Sequence, residues 1–326
     1  MSGTLPLATL TGTEMIAVDN GGAVITTATT RQIANLSGTG NSWFVNATTG
    51  SDANGGSVSA PFATLTAAQN AAVASNGDVV YLTGTVHLTA TLAWAKNDVS
   101  LVGLNSPSNN NRSRLSSTGA VPFSPLVNVT GQGCSFINLG TFHGGFTTPA
   151  GSQVCWAEAG GRNYYSDVQF FGGGDAVAAA LLGMRSITVG GQGENVFSNC
   201  TFGLDTITRA TNANATLEFI SGTARNVFYN PVFQSYCTLA TDCHVLTAAN
   251  GADRYQYMFD PIFANAVDSG ATAMNAAVLW AGGAPAGGLI LKGGVSVGAT
   301  AVATTGPVYS NAGQANAAAV VGVKIT

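Results

Sequence analysis

Two stretches decide the reading of this chain: Val196-Phe197-Ser198-Asn199-Cys200-Thr201-Phe202 and Val227-Phe228-Tyr229-Asn230-Pro231-Val232-Phe233. Each carries an aromatic residue second, an Asn fourth and a Phe seventh. The pattern continues upstream at residues 135–142 and 164–170 and downstream at 257–263. Asn138, Asp167, Asn199, Asn230 and Asp260 fall at intervals of 29, 32, 31 and 30 residues. A short β-rich segment and a glycine turn precede each unit, and weaker copies stand at 99–104 and 289–297. A repeat of about 30 residues with short strands and no long helix is one coil of a β-solenoid; leucine-rich, ankyrin and helical repeats have other signatures. The fold expected is all-β: a right-handed, single-stranded parallel β-helix of about eight coils.

In such a coil, equivalent residues of successive turns stack at about 4.8 Å. Phe136, Tyr165, Phe197, Phe228 and Met258 are expected to form one apolar stack. Phe142, Phe170, Phe202, Phe233 and Phe263 form the second. Asn138, Asp167, Asn199, Asn230 and Asp260 make a polar ladder, in which side chains bond to one another and to turn backbone. Arg162, Glu194 and Arg225 occupy a second row, each five residues before its ladder residue, and their alternating signs attract along the stack.

Outward from the repeats, residues 1–40 read as a separate N-terminal arm. A strand at 15–18, a turn at Asp19-Asn20-Gly21-Gly22 and a strand at 23–26 make a hairpin, since Asn and Gly supply the positive φ of its turn. A short helix or turn at 31–36 and a linker at 36–42 follow. Residues 41–82 read as the N-terminal cap: a strand at Trp43-Phe44-Val45, a polar loop, and an amphipathic helix from Pro61 to about Ser75. Phe62, Leu65, Ala68, Ala72 and Val73 lie on the apolar face of that helix. Such a helix covers the open end of a stacked-strand core. Coils occupy 83–300, and 301–326 is a C-terminal cap or arm.

The totals narrow the function. Of 326 residues, 46% are hydrophobic and only 8% charged, which gives a sizeable core. The net charge of −4 is scattered, so the basic stripe that nucleic-acid binding requires is missing. Apolar runs are far shorter than the ~20 residues of a membrane span. The first residues lack a basic and an apolar region, so a signal peptide is not expected. A soluble protein with no nucleic-acid or membrane partner follows. Its five cysteines have no framework spacing and read as reduced. Cys237, Cys243 and His244 are close in sequence, but their spacing is not that of a zinc site, and no cofactor is expected.

One further pattern carries a resemblance. Phe44-Val45-Asn46, Gly50-Ser51-Asp52-Ala53-Asn54-Gly55-Gly56, Ala60-Pro61-Phe62-Ala63-Thr64-Leu65 and Gly77-Asp78-Val79-Val80-Tyr81 together resemble the opening of pectate-lyase-like β-helix domains. Such openings are frequent in tailed-bacteriophage structural proteins. Leu5-Pro6-Leu7 and the run from Leu10 to Val18 resemble N-terminal segments of phage virion proteins. The resemblance implies a virion location, assembly in the host cytoplasm, and a side-by-side homotrimer. It implies a capsid decoration or cement protein, a fibre, or a polysaccharide-cutting tail spike; fold alone does not choose among them.

Catalysis by hydrolysis requires two carboxylates about 5–9.5 Å apart, and lyase chemistry a base with a cation. Asp167 and Asp260 sit in the amide ladder, and Glu194 in the charge ladder. Asp175 and Asp205 occupy equivalent loops one coil apart, and with Arg209 they make the alternative glycan site. Solvated loop acids are common in turns, so a structural reading of this pair is favoured. His87, His143 and His244 form no Ser/His/Asp arrangement. The expectation is a non-enzymatic decoration or cement protein that binds the major capsid protein or other virion proteins through its N-terminal arm and C-terminal tail. The alternative is a tail spike or fibre that binds or cleaves host surface polysaccharide, which predicts an exposed row of aromatics and acids along one face.

Overall fold

The computed structural model describes residues 15–20, 23–29, 40–106, 112–117, 122–145, 153–210, 213–280, 287–304 and 306–310. Among the described residues from 40 to 310 the chain winds as a right-handed parallel β-helix whose turns feed three sheets of ten, nine and seven strands. Right-handedness is what a twisted strand imposes on a parallel crossover. The ten-stranded sheet runs from Ser42–Asn46 to Val308–Ser310, with Tyr164–Ser166, Val196–Ser198, Val227–Tyr229 and Gln256–Phe259 among its strands.

The first expected stack is the spine of the core. Phe136, Tyr165, Phe197, Phe228 and Met258 lie in register on successive rungs. Phe136–Tyr165, Tyr165–Phe197 and Phe197–Phe228 have ring centroids 5.0, 4.6 and 4.5 Å apart and nearly parallel planes. The second stack forms from Phe170, Phe202, Phe233 and Phe263. Phe142 does not join it. Thr141 pairs with Phe170, and a bulge after Thr141 shifts Phe142 opposite Gly172. Phe142 instead packs outside the core on Phe171 at 4.6 Å, with the Arg114 guanidinium 4.6 Å from its ring centroid.

The corner between the ten- and nine-stranded sheets explains the 30-residue interval. Asn138, Asp167, Asn199, Asn230 and Asp260 all have φ between 49° and 56°, and Gly293 occupies the next rung at 71°. This left-handed conformation is open to Asn, Asp and Gly and costs other residues roughly 1–2 kcal/mol. The corner side chains face outward, and one amide-to-amide bond joins two of them, Asn230 Nδ2 to Asn199 Oδ1 at 3.1 Å. Backbone conformation, more than side-chain bonding, selects these residues.

The buried amide ladder lies at the opposite edge of the sheet, in Asn163, Asn195, Asn226 and Gln256. Asn195 Oδ1 accepts from Asn163 N at 2.9 Å, Asn226 Oδ1 from Asn195 N at 3.1 Å, and Gln256 Oε1 from Asn226 N at 3.1 Å. All four are at most 1% exposed. Each side chain thereby completes a backbone N–H of the preceding coil, which water cannot reach.

At the N-terminal end the helix spans Leu65–Ala71, later than Pro61, because Thr64 is its cap: Thr64 Oγ1 accepts from Ala67 N. Asp52 fixes that turn by accepting from Ala63 N, Thr64 N and Thr64 Oγ1. Leu65, Ala68 and Ala72 are buried as expected, whereas Val73 is exposed beyond the last turn. Lys96 Nζ donates to the carbonyls of Gln69, Asn70 and Ala72, satisfying the helix's open C-terminal end. Asp78, fully buried, accepts from Asn41 N, Trp43 Nε1, Val73 N and Asn76 Nδ2 and ties strand, helix and loop together.

The hairpin foreseen in the arm is present as Met15–Asn20 paired antiparallel with Ala23–Thr29. The helix or turn at 31–36 and the tail from 311 lie outside the described residues.

Candidate functional site

Strand alternation sends every second residue of the ten-stranded sheet outward. One outward row reads Phe44, Tyr81, Val102, Ile137, Ser166, Ser198, Tyr229, Phe259, Lys292. Its rings pair face to face: Phe44 with Tyr81 at 5.1 Å, and Tyr229 with Phe259 at 5.2 Å. Lys292 Nζ lies 5.9 Å from the Phe259 ring centroid. In the row beside it stand Tyr164, Tyr257 and Tyr309, and Tyr255 meets Tyr309 edge to face at 6.0 Å. Tyr164, Tyr229, Tyr255 and Tyr309 are 36–45% exposed. This aromatic face is concentrated in the coils beyond residue 225.

Two polar rows border it. On one side runs the left-handed corner, with Asp167, Asn199, Asn230 and Asp260 exposed and Asn138 half-buried. On the other, Glu194 accepts from Arg162 Nε at 2.7 Å and from Arg225, forming the three-member charge ladder. The two arginines draw the Glu194 carboxyl below its ordinary pKa, Arg225 more than Arg162. Arg162, Glu194 and Arg225 also have positive φ, so this edge is a second left-handed corner. Asp167 and Asp260 stand three rungs apart, about 14 Å at the 4.8 Å coil spacing. That exceeds the separation of a hydrolytic carboxylate pair, so this face offers each carboxylate singly.

Asp175, Asp205 and Arg209 have different surroundings in the structure. Asp175 is the N-cap of the short helix Ala176–Ala179, accepting from Ala178 N, and also accepts from Gly145 N. Asp205 is exposed. Arg209 is buried, and its Nη2 donates to Cys237 Sγ at 3.0 Å and Cys243 O at 3.4 Å. Burial pulls the Arg209 pKa down, but Cys237 and Asp242 outweigh it and hold the guanidinium charged. The arginine therefore occupies the middle of the cysteine–histidine cluster. Burial, with Arg209 nearby, drives the His244 pKa well below its ordinary value, and burial lifts the Cys243 thiol to about 12. Among the described residues no three His, Cys, Asp or Glu side chains are placed to hold a metal. Arg209 Nε and Thr216 Oγ1 lack protein partners and border a pocket of about 20 Å³, the size of one water.

Two features escaped the sequence reading. Glu158 is fully buried at the end of its strand, accepting from Gly160 N, Gly161 N, Asn163 Nδ2 and the Tyr165 hydroxyl. Burial raises its pKa against the pull of those donors. This carboxylate faces the core, not solvent, and explains why the phenylalanine stack contains one tyrosine. The other is the buried ladder, whose members recur at intervals of 32, 31 and 30 residues and were legible in the same repeats.

No protein-family model and no curated protein matches the chain. Its backbone is similar to solved structures. A rhamnogalacturonan lyase aligns over 79% of this chain and 68% of its own, with TM-score 0.55 and 15% identity. The Aspergillus niger pectin methylesterase aligns over 91% and 86%, with TM-score 0.53 and 15% identity. A pectate lyase aligns over 83% and 72%, with TM-score 0.54 and 13% identity. At this identity the likeness establishes the pectate-lyase-like β-helix fold. It also corrects the expectation of a non-enzyme, because all three solved proteins are polysaccharide lyases or esterases.

Proposed function

We propose that this chain is a glycan-processing β-helix of the tail-spike kind, which binds a polysaccharide along the outward face of the ten-stranded sheet. The observation that carries this reading is the exposed aromatic face around Tyr229, Phe259, Tyr255 and Tyr309, bordered by the amides and carboxylates of the corner. Flat rings pack on the C–H faces of sugars while hydroxyl, amide and carboxylate groups bond their hydroxyls. The names of the solved proteins, which process pectin-type polymers, support the same assignment. With Asp167 and Asp260 too far apart to cooperate, the chemistry proposed is β-elimination by one carboxylate beside a cation, Asp260 with Lys292 on the next rung. The base takes the proton next to a uronate carboxyl, a C=C bond forms, and the glycosidic C–O bond breaks with a proton passing to the leaving oxygen.

The virion location rests on the resemblance of residues 5–18 to phage segments. Side-by-side trimer assembly is supported by Ile262, Val295 and Val297, which leave an exposed apolar patch on the nine-stranded sheet. Incubation with O-antigen, capsular polysaccharide and polygalacturonate tests the activity: new reducing or unsaturated ends are expected, and intact polymer throughout overturns it. Copy number in purified particles, measured against the major capsid protein by quantitative mass spectrometry, separates a tail position of a handful of copies from a head-surface position near stoichiometry.

A further inference from the structure

The outward row through the middle of the ten-stranded sheet changes character abruptly. Ile137 is followed by Ser166 and Ser198, and these by Tyr229. Two successive rungs therefore carry side chains of only two heavy atoms between a branched aliphatic chain and an aromatic ring. At about 4.8 Å per rung, the two serines leave an interval of about 10 Å along the helix axis. The ring that closes this interval has one free face. Phe259 stacks on the other side of Tyr229, 5.2 Å away with planes 14° apart, and Lys292 follows beyond Phe259. Because the two rings stack along the row, the remaining face of Tyr229 looks toward the rung of Ser198, and the tyrosine is 45% exposed.

The sides of the interval are polar on one flank and apolar on the other. Asp167 and Asn199 follow the two serines directly at the corner, and both are exposed. Ser166 Oγ already donates to Asp167 Oδ2 at 2.7 Å. Asn199 Oδ1 accepts from Asn230, which orients the amide at this rung. On the opposite flank Tyr164 and Val196 occupy the same two rungs of the neighbouring row.

We propose that this two-serine interval is a subsite for a single pyranose unit, whose C–H face lies on the free face of Tyr229 and whose hydroxyls reach Ser198, Asn199 and Asp167. The proposal rests on the glycan reading of this face and deepens it by naming the sugar-stacking position. A pyranose about 5 Å thick fits the interval, and the exposed ring selects a sugar with several C–H bonds on one side. The polymer continues along the rows toward Tyr257 and Tyr309.

The test measures retardation of the protein in gels containing O-antigen, capsular polysaccharide or polygalacturonate. Wild type is compared with Tyr229→Phe, Tyr229→Ala and Ser198→Trp. All positions are on the surface, and unchanged circular dichroism and melting temperature establish that each variant is folded. Expected are near-wild-type affinity for Tyr229→Phe, a loss of about tenfold for Tyr229→Ala, corresponding to one stacked ring, and no detectable retardation for Ser198→Trp, which fills the seat. Retardation of the wild type with unchanged affinity in Tyr229→Ala and Ser198→Trp overturns the subsite and leaves the glycan reading standing. Absence of wild-type retardation in all three gels overturns both.

Discussion

Replacing Asn195 by alanine is expected to cost far more than replacing Asn199, four residues away, although both stand in columns of polar residues with the same period. Asn195 is fully buried; its Oδ1 is the acceptor for Asn163 N, and its Nδ2 donates to Asn226 Oδ1 at 2.9 Å. Truncation strands the Asn163 N–H in the interior, at about 1–3 kcal/mol. Asn226 Oδ1 keeps its bond from Asn195 N, so the second loss is a single bond of about 1 kcal/mol. The sum is about 2–4 kcal/mol. Asn199 is exposed and accepts one bond, from Asn230, so its alanine variant pays chiefly for a φ of 52°, about 1 kcal/mol. Asn199→Gly removes that strain and is expected within about 0.5 kcal/mol of wild type. The assay is equilibrium urea unfolding, followed in parallel by far-ultraviolet circular dichroism and tryptophan fluorescence, whose agreement checks two-state behaviour. If Asn199→Gly destabilises as much as Asn195→Ala, the assignment of the outer column to backbone conformation and the inner column to hydrogen bonding is refuted.

Three further outcomes are expected. Phe170→Ala costs about 3–5 kcal/mol in the same assay, and Phe142→Ala costs at most half as much because that ring lies outside the core; equal losses would contradict the shifted register. Asp78 has its pKa lowered: burial pushes it up, but the donors led by Trp43 outweigh that. Its stabilising contribution is therefore present above the unfolded value near 4 and is lost as pH falls through the lower folded value. The urea midpoint of wild type should decline below about pH 4 more steeply than that of Asp78→Asn; parallel profiles would contradict this. Glu194→Gln should lower the midpoint slightly at low salt and not at high salt, since the ladder it breaks is exposed; a loss independent of salt would contradict the ion-pair explanation.

The coil was legible because its core is periodic: a ring at a fixed place in each 30-residue unit can only be a rung. What the spacing could not resolve was the role of each column. Asn195 and Asn199 share one period, yet one bonds backbone and the other turns it, a difference set by φ and burial. Phe142 stands four residues after Asn138, whereas Phe170, Phe202, Phe233 and Phe263 stand three after their corner residues, so the spacing itself puts Thr141 opposite Phe170. Only the bulge that then sets Phe142 opposite Gly172 leaves no trace in a pattern of residue types. The helix start was displaced because Pro61 is compatible with a first turn, while the side-chain cap at Thr64 decides it. Of the candidate acids, the spacing could not show what Asp175 bonds to. Asp175 lies in the expected loop, but both its oxygens are spent on backbone N–H groups. The aromatic face was implicit in Tyr229, Phe259 and Tyr309, whose alternation along the repeated strand places them outward.

The most direct test of a glycan-processing face is to incubate the purified protein with O-antigen, capsular polysaccharide and polygalacturonate and count new chain ends, by reducing-end assay and by the ultraviolet absorbance of unsaturated ends. Growth of ends with time on at least one polymer, of the unsaturated kind for single-base chemistry, is the expected result. No new ends on any of the three, from folded protein, would contradict it.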